Sequence, residues 1–260
     1  MSYEKDGIKY PRCTEIISDS TNKSNGLVRW SANEAVKWIR DNCEYKSQST
    51  TSRPQEYHAT DADLEQARYA YKDTSKIALD VGSEVHAAIE GYLKGTGHGL
   101  TSHQATNAFS AFLDWEQEVD LIPIALEQTV WGDRWAGTLD FFGYYKGKLY
   151  VVDWKTSKAF YPEMRYQVAA YRSAMIPMVE KQASENSYDM TDTSNLYDLE
   201  IERLTPKGCG VLMLDKTTGM PKFKDTSKTY EQDLKVFEAM VEIFYLRHPK
   251  IRKRFEGGMK

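Results

Sequence analysis

Two aspartates and a lysine lie where a short piece of chain can bring them together. Asp140 closes Gly137-Thr138-Leu139-Asp140, and Asp153 and Lys155 belong to Val151-Val152-Asp153-Trp154-Lys155-Thr156-Ser157. Two carboxylates held a few ångströms apart repel each other unless a proton or a cation sits between them. A divalent metal beside an ammonium group is the chemistry this set suits. The ion makes a bound water more acidic and screens a phosphodiester, and the ammonium meets the charge that builds on phosphorus.

A β-hairpin is the element that must position them. Its first arm runs from Trp135 to Tyr145, Lys146-Gly147 makes the turn, and the second arm returns from Lys148 to Lys155. A two-residue turn sets Tyr145 against Lys148 and so Asp140 against Asp153, with Cβ atoms about 5 Å apart. Asp153 and Lys155 share one face of the strand, and Trp154 points the other way. Asp-x-Lys on a strand is common by chance. Here the register, the buried-strand run Leu149 to Val152 and Gly137 ahead of the first aspartate set it apart. Burying three charges costs several kcal/mol per ion unless they are paired or metal-bound.

A helix over Asp80 to Leu93 supplies the next donor. Val81, Val85, Ala88, Ile89 and Tyr92 form its apolar stripe. His86 falls about 100° from Val85, at the stripe's border, where it reaches inward without being engulfed. A lone histidine there is usually structural; the aspartate pair downstream makes His86 a candidate ligand. Imidazole beside carboxylates accepts Mg²⁺ and leans towards Mn²⁺. Glu90, one turn on, reads as a solvated acid.

The motifs Gly-Thr-Leu-Asp (137–140), Val-Val-Asp-Trp-Lys-Thr-Ser (151–157), Gln167-x-x-x-Tyr171 and Gly-Ser-x-x-His-x-x-x-Glu (82–90) resemble those of the PD-(D/E)XK nuclease superfamily. The branch is that of RecB and lambda exonuclease, and the likeness is to the mitochondrial genome maintenance exonuclease and free-standing phage exonucleases. It extends from about Tyr10 to Asp225. The resemblance implies an α/β fold, a central mixed β-sheet flanked by helices (a restriction-endonuclease-like core) with a helical N-terminal portion. It implies a metal-dependent DNA exonuclease of recombination, repair or replication. His86, Asp140 and Asp153, with the Val152 or Trp154 backbone carbonyl, would hold one or two Mg²⁺ or Mn²⁺ ions, and Lys155 would position the attacking water. A preference for DNA ends and a 5′-phosphate product are implied as well, with single-stranded DNA a candidate substrate. Gln167 and Tyr171, four apart and on one helix face, would contact the DNA backbone or orient the lysine. Lys158, Arg165 and Arg172 suggest a phosphate-binding rim. Glu127 resembles the acid on the preceding strand in relatives, which binds metal or DNA-bound water; a strand-end acid with no role is the alternative. Arg12 and Cys13 depart from the relatives' Pro-Ser-Val-Thr-like opening.

Composition bounds these readings. The 260 residues are 41% hydrophobic and 28% charged, with net charge −4. That suits one domain over 1–260: a mainly helical portion to 120, a catalytic sheet core over 121–225, and a closing helix with a basic tail over 226–260. The acidic balance argues against a chain that coats nucleic acid without selectivity, yet permits a local basic groove. Cys13, Cys43 and Cys209 are scattered, too few for the four-cysteine iron–sulfur cluster of some relatives, so none is expected. No run of 18 apolar residues exists, so no membrane partner is expected. An N-terminus carrying Glu4 and Asp6 lacks targeting patterns, so a cytoplasmic setting, in a bacterium or a phage-infected cell, is expected. Protein partners are not legible.

The remaining elements read as helices over Ser31 to Asn42, Asp61 to Tyr71, Ser102 to Glu118, Met164 to Met178 and Thr229 to Arg247. Leu121 to Glu127 is expected to start the sheet, with Glu127 to Trp131 as its first strand; further strands are expected at Gly210 to Asp215 and Pro221 to Lys224, and loops at 18–26, 44–60 and 181–200. Thr14 is a candidate cap, and Trp30, Ala35, Trp38 and Ile39 form an aromatic helix face. Two readings stand against an active exonuclease. One is a catalytically silent nucleic-acid-binding module or a structure-specific endonuclease on the same fold; the other is an adaptor whose hairpin charges form a buried ion-pair cluster.

Overall fold

The computed structural model describes residues 3–21, 24–46, 56–97, 99–186 and 205–258. It is an α/β protein whose centre is a five-stranded mixed sheet. The chain divides into two compact units, Asn22–Ser83 and the remainder, Met1–Thr21 with Glu84–Lys260.

In the larger unit, β1 (Tyr3–Lys5) and β2 (Ile8–Tyr10) form a small hairpin ahead of α1 (Cys13–Ser20). Arg12, not Thr14, is the N-cap of α1. The smaller unit holds α2 (Ser24–Asn42), a hairpin of β3 (Glu44–Lys46) and β4 (Glu56–His58), and the first turns of α3 (Asp61–Leu93). Three expectations change here. The helix expected from Ser31 begins at Ser24, across part of the presumed 18–26 loop. The 44–60 loop carries the β3–β4 pair at its ends, residues 47–55 lying outside the described ones. The two helices expected over 61–71 and 80–93 are one helix of 33 residues. Gly82, whose helix propensity is about 1 kcal/mol below alanine's, does not break it. Trp30, Ala35, Trp38 and Ile39 are half-buried.

The sheet runs β5 (Leu121–Trp131), β6 (Ala136–Tyr145), β7 (Lys148–Lys155), β8 (Gly208–Leu214), β9 (Pro221–Asp225) in that spatial order. Only β7–β8 is parallel, and the chain makes that crossover through α5 (Pro162–Asn186). Turn chemistry sets the β6–β7 register: Lys146 and Gly147 adopt φ of +50° and +72°, as a tight two-residue turn requires, and Tyr145 pairs with Lys148.

Helices cover both faces. α4 (His103–Gln117), capped by the Ser102 hydroxyl on the Ala105 N–H, buries Phe112 and Trp115 against Trp154. On the other face, α5 and α6 (Tyr230–Arg247) pack Val168, Ala169, Phe237 and Phe244 into one core with Val151, Val211 and Met213. α5 starts two residues before the expected Met164 and continues beyond Met178 through Pro177 to Asn186. It thereby takes up the start of the expected 181–200 loop, the rest of which lies outside the described residues. The expected basic tail is a further helix, α7 (Pro249–Gly258), because Phe255 anchors it at 2% exposure beside Tyr10 and Tyr245. Among the described residues, no helix is long and apolar enough to cross a membrane.

Candidate metal centre

Three side chains from three elements converge. His86 comes from the last turns of α3, Glu127 from β5 and Asp140 from β6, and one ligand atom of each lies within 4.8 Å of the others. His86 Nδ1 is 3.5 Å from Asp140 Oδ1 and 3.6 Å from Glu127 Oε1. Val85, Ala88 and Ile89 are buried beside His86 and hold that end of α3 in the core. Glu84 secures the same turn to the start of α4, its carboxylate accepting from the Thr101 and Ser102 N–H groups and, at 3.0 Å, from the Ser102 hydroxyl. Glu84 stands in the sequence motif, but nothing in its spacing signals this role.

Glu127 faces Asp140 across the β5–β6 ladder. It lies between the pairs Leu126↔Phe141 and Gln128↔Leu139 but makes no regular pair itself, and its φ is +48°. A side chain in the left-handed region costs about 1–2 kcal/mol. Glu127 Oε1 is also buried without a hydrogen-bond donor among the described residues. A strained backbone and an orphaned carboxylate oxygen, both turned to one histidine and one aspartate, fit a cation as the missing partner.

The β6–β7 ladder keeps the expected register as far as Phe141↔Val152 and stops there, one pair short of the aspartates. In place of that pair, Asp140 Oδ2 accepts the Trp154 N–H at 2.7 Å. Trp154 thus joins the site through its N–H, and this bond fixes the Asp140 carboxylate. Asp153 is fully buried. Its Oδ1 accepts from Gln167 Nε2 at 3.0 Å, and Lys155 Nζ approaches Oδ2 at 2.5 Å. Gln167 Nε2 also donates to the Tyr171 hydroxyl at 3.2 Å. Tyr171 packs so closely on Gly137 that a Cβ there would lie 2.6 Å from its ring, which accounts for the glycine ahead of Leu139 and Asp140.

Electrostatics divide the site in two. Burial alone would push the His86 imidazole down, but Asp140 and Glu127 outweigh it and hold the pKa at about 10 in the metal-free protein. Burial likewise opposes ionisation of Asp140, yet His86, Lys155 and the Trp154 N–H draw its pKa below the usual value. Asp153 goes the other way: burial raises it to about 6 despite Lys155, with Asp140 adding repulsion. Burial also drives the Cys13 thiol well up, beside Asp153 and Lys155.

The structure thus gathers His86, Glu127 and Asp140 as one donor set, with Asp153, Lys155, Gln167 and Tyr171 as a linked second group. Arg165 and Arg172 face elsewhere. Arg165 Nε lies 3.5 Å from Asp233 Oδ1 on α6; Arg172 Nε donates to the Pro206 carbonyl, and its guanidinium lies 3.9 Å over the Tyr230 ring. Lys158 is exposed in the loop after β7. Helix geometry explains the split, since Arg165 lies about 200° round α5 from Gln167. Comparison with known families found no family model that matches the chain, and comparison with curated proteins found no match.

Proposed function

We propose that the protein is a metal-dependent deoxyribonuclease of the PD-(D/E)XK type, an exonuclease acting at DNA ends in recombination, repair or replication. The observation that carries this reading is the convergence of His86, Glu127 and Asp140, with Glu127 Oε1 buried and making no hydrogen bond, beside the Asp153–Lys155 pair. The donor set suits Mg²⁺ or Mn²⁺, and Asp153 would join it only by exchanging its Gln167 or Lys155 contact for the ion. A bound ion would supply acidity to the attacking water and screen the phosphate.

The chain's own groups do the remaining work. Lys155 presents its ammonium beside Asp153, where it can orient water or meet charge building on the phosphoryl oxygens. Gln167 holds Asp153 in place, and the Trp154 N–H does the same for Asp140. Loading the ion requires His86 to release its proton, so the imidazolium is a place-holder in the metal-free protein.

That protonated histidine also favours a second reading, a closed ion-pair cluster with no catalytic role. One experiment separates the two. End-labelled single- and double-stranded DNA and a closed circle are incubated with Mn²⁺ or Mg²⁺, alongside a calorimetric Mn²⁺ titration. The nuclease binds the ion at defined stoichiometry and shortens linear DNA from its ends while sparing the circle. A silent binding module holds metal or DNA without cutting; an ion-pair cluster binds no metal; cutting of the circle indicates an endonuclease.

A further inference from the structure

Glu84 and His86 leave α3 on nearly opposite sides, since two residues turn a helix by about 200°. His86 faces the strands, its Nδ1 near Glu127 and Asp140. Glu84 faces the start of α4. There one carboxylate oxygen accepts from the Thr101 and Ser102 N–H groups, and the other accepts from the Ser102 hydroxyl at 3.0 Å. Both oxygens are engaged, so Glu84 is a clamp and not a further ion ligand. The Ser102 hydroxyl accepts in turn from the Ala105 N–H, so one side chain both holds Glu84 and caps α4. Two turns further along α3, the Tyr92 ring meets Phe109 and Phe112 of α4 edge-on, with centroids 6.0 and 6.1 Å apart.

α4 reaches the second ligand as well. Phe112 and Trp115 pack against Trp154, whose N–H holds Asp140 Oδ2. One helix is thus the common reference for His86, through Glu84, and for Asp140, through Trp154. Hydrogen bonds to a carboxylate are directional and about twice as strong as neutral ones. Without them α3 is freer to roll, and a roll of about 10° at its side-chain radius of about 6 Å moves His86 by about 1 Å. Cations differ in how far they tolerate such a shift. Mg²⁺ demands near-ideal octahedral geometry with ligands at about 2.0–2.1 Å, whereas Ca²⁺ accepts irregular cages at about 2.3–2.6 Å.

We infer that Glu84 is a positioning residue that sets the selectivity of the site for Mg²⁺ over Ca²⁺. By fixing α3 on Ser102 it holds His86 at the spacing that a small, geometrically strict ion needs. This rests on the metal-dependent reading of His86, Glu127 and Asp140. The Glu90–Lys94 pair is the contrast, because it joins residues four apart and spans no second element.

The test is calorimetric titration of the full chain with Mg²⁺ and with Ca²⁺, beside urea unfolding, for the wild type, Glu84→Ala, Glu84→Gln, Ser102→Thr and Lys94→Ala. Glu84→Ala weakens Mg²⁺ binding about 10- to 100-fold, the range for losing a group that orients a ligand. Its Ca²⁺ affinity stays within about threefold, because the looser cage still suits the larger ion. Glu84→Gln, of the same shape without the charge, gives a smaller fall in the Mg²⁺-to-Ca²⁺ ratio and carries the test if the alanine variant does not fold. Ser102→Thr keeps the hydroxyl and retains the ratio, as does Lys94→Ala. An unchanged ratio in the Glu84 variants, with both affinities merely following the urea midpoint, overturns the inference and leaves the clamp a stability element. A wild type that binds neither ion, nor Mn²⁺, shows instead that the reading of the site has failed, and the inference falls with it.

Discussion

The two faces of β7 differ by one residue of phase and by nearly everything else. Trp154 faces Phe112, Trp115 and Phe141 in a dry aromatic layer, with ring centroids 5.5–6.1 Å apart. Asp153 and Lys155, its two neighbours, face carboxylates, an imidazole and a glutamine. The aromatic face is filled by rings, whereas the charged face sets Asp153 Oδ2 against the Lys155 ammonium and leaves Glu127 Oε1 buried with only His86 Nδ1, at 3.6 Å, near it. One face of the strand is built to hold it in place, and the other carries charge that a partner from outside would complete.

The sharpest way to break that contrast is to truncate each face in turn. Asp153→Ala or Lys155→Ala should lower cleavage about 10³-fold or more while circular dichroism shows the fold retained; a fully active Lys155→Ala enzyme removes the lysine from the proposed mechanism. Trp154→Ala should do the reverse, costing about 3–5 kcal/mol of stability in urea unfolding through loss of the aromatic layer. Next in size is the choice of ion. Calcium should support DNA binding with little cleavage, because its loose coordination positions water poorly; turnover in calcium equal to that in Mn²⁺ contradicts this.

A smaller effect concerns the strained residue. Glu127→Gly should raise the unfolding midpoint of the metal-free protein by the equivalent of about 1 kcal/mol, since glycine accepts a positive φ. The same change should weaken Mn²⁺ binding at least tenfold by calorimetry. A loss of stability would show that the glutamate is held by more than its missing cation.

The pH dependence of stability without metal tests the charged face on its own. His86, with its folded pKa at about 10, contributes stability that is complete below the ordinary imidazole value and lost as pH rises through about 10. Asp153, raised to about 6, costs stability as pH climbs from the ordinary carboxylate value to about 6. Urea midpoints should therefore decline in both windows; His86→Gln should flatten the alkaline one and Asp153→Asn the acidic one.

The hairpin was legible because its turn is local. Lys146-Gly147 sets the register, alternation assigns the faces, and the helical stripe around His86 follows from spacing alone. Glu127 is not legible from spacing, since its position opposite Asp140 depends on the extra residue that β5 absorbs near Ile124. Proximity in sequence suggests a phosphate rim at Arg165 and Arg172, but the turn of the helix carries them to Asp233 and Tyr230 of α6. The two expected helices merge into α3, α5 passes through Pro177 and the basic tail folds as α7, because packing outweighs the local costs, about 1 kcal/mol for glycine and about 3 kcal/mol for proline.

The sequence by itself determined the α/β alternation, the β6–β7 turn, and a strand whose two faces are aromatic and ionic. These follow from period, turn chemistry and side-chain type, which act over a few residues. Only the tertiary structure decided that Glu127 joins His86 and Asp140, and that Asp140 takes the Trp154 N–H in place of a ladder pair. Those relations arise from strand order and register across a sheet, where residues far apart in the chain come within a few ångströms.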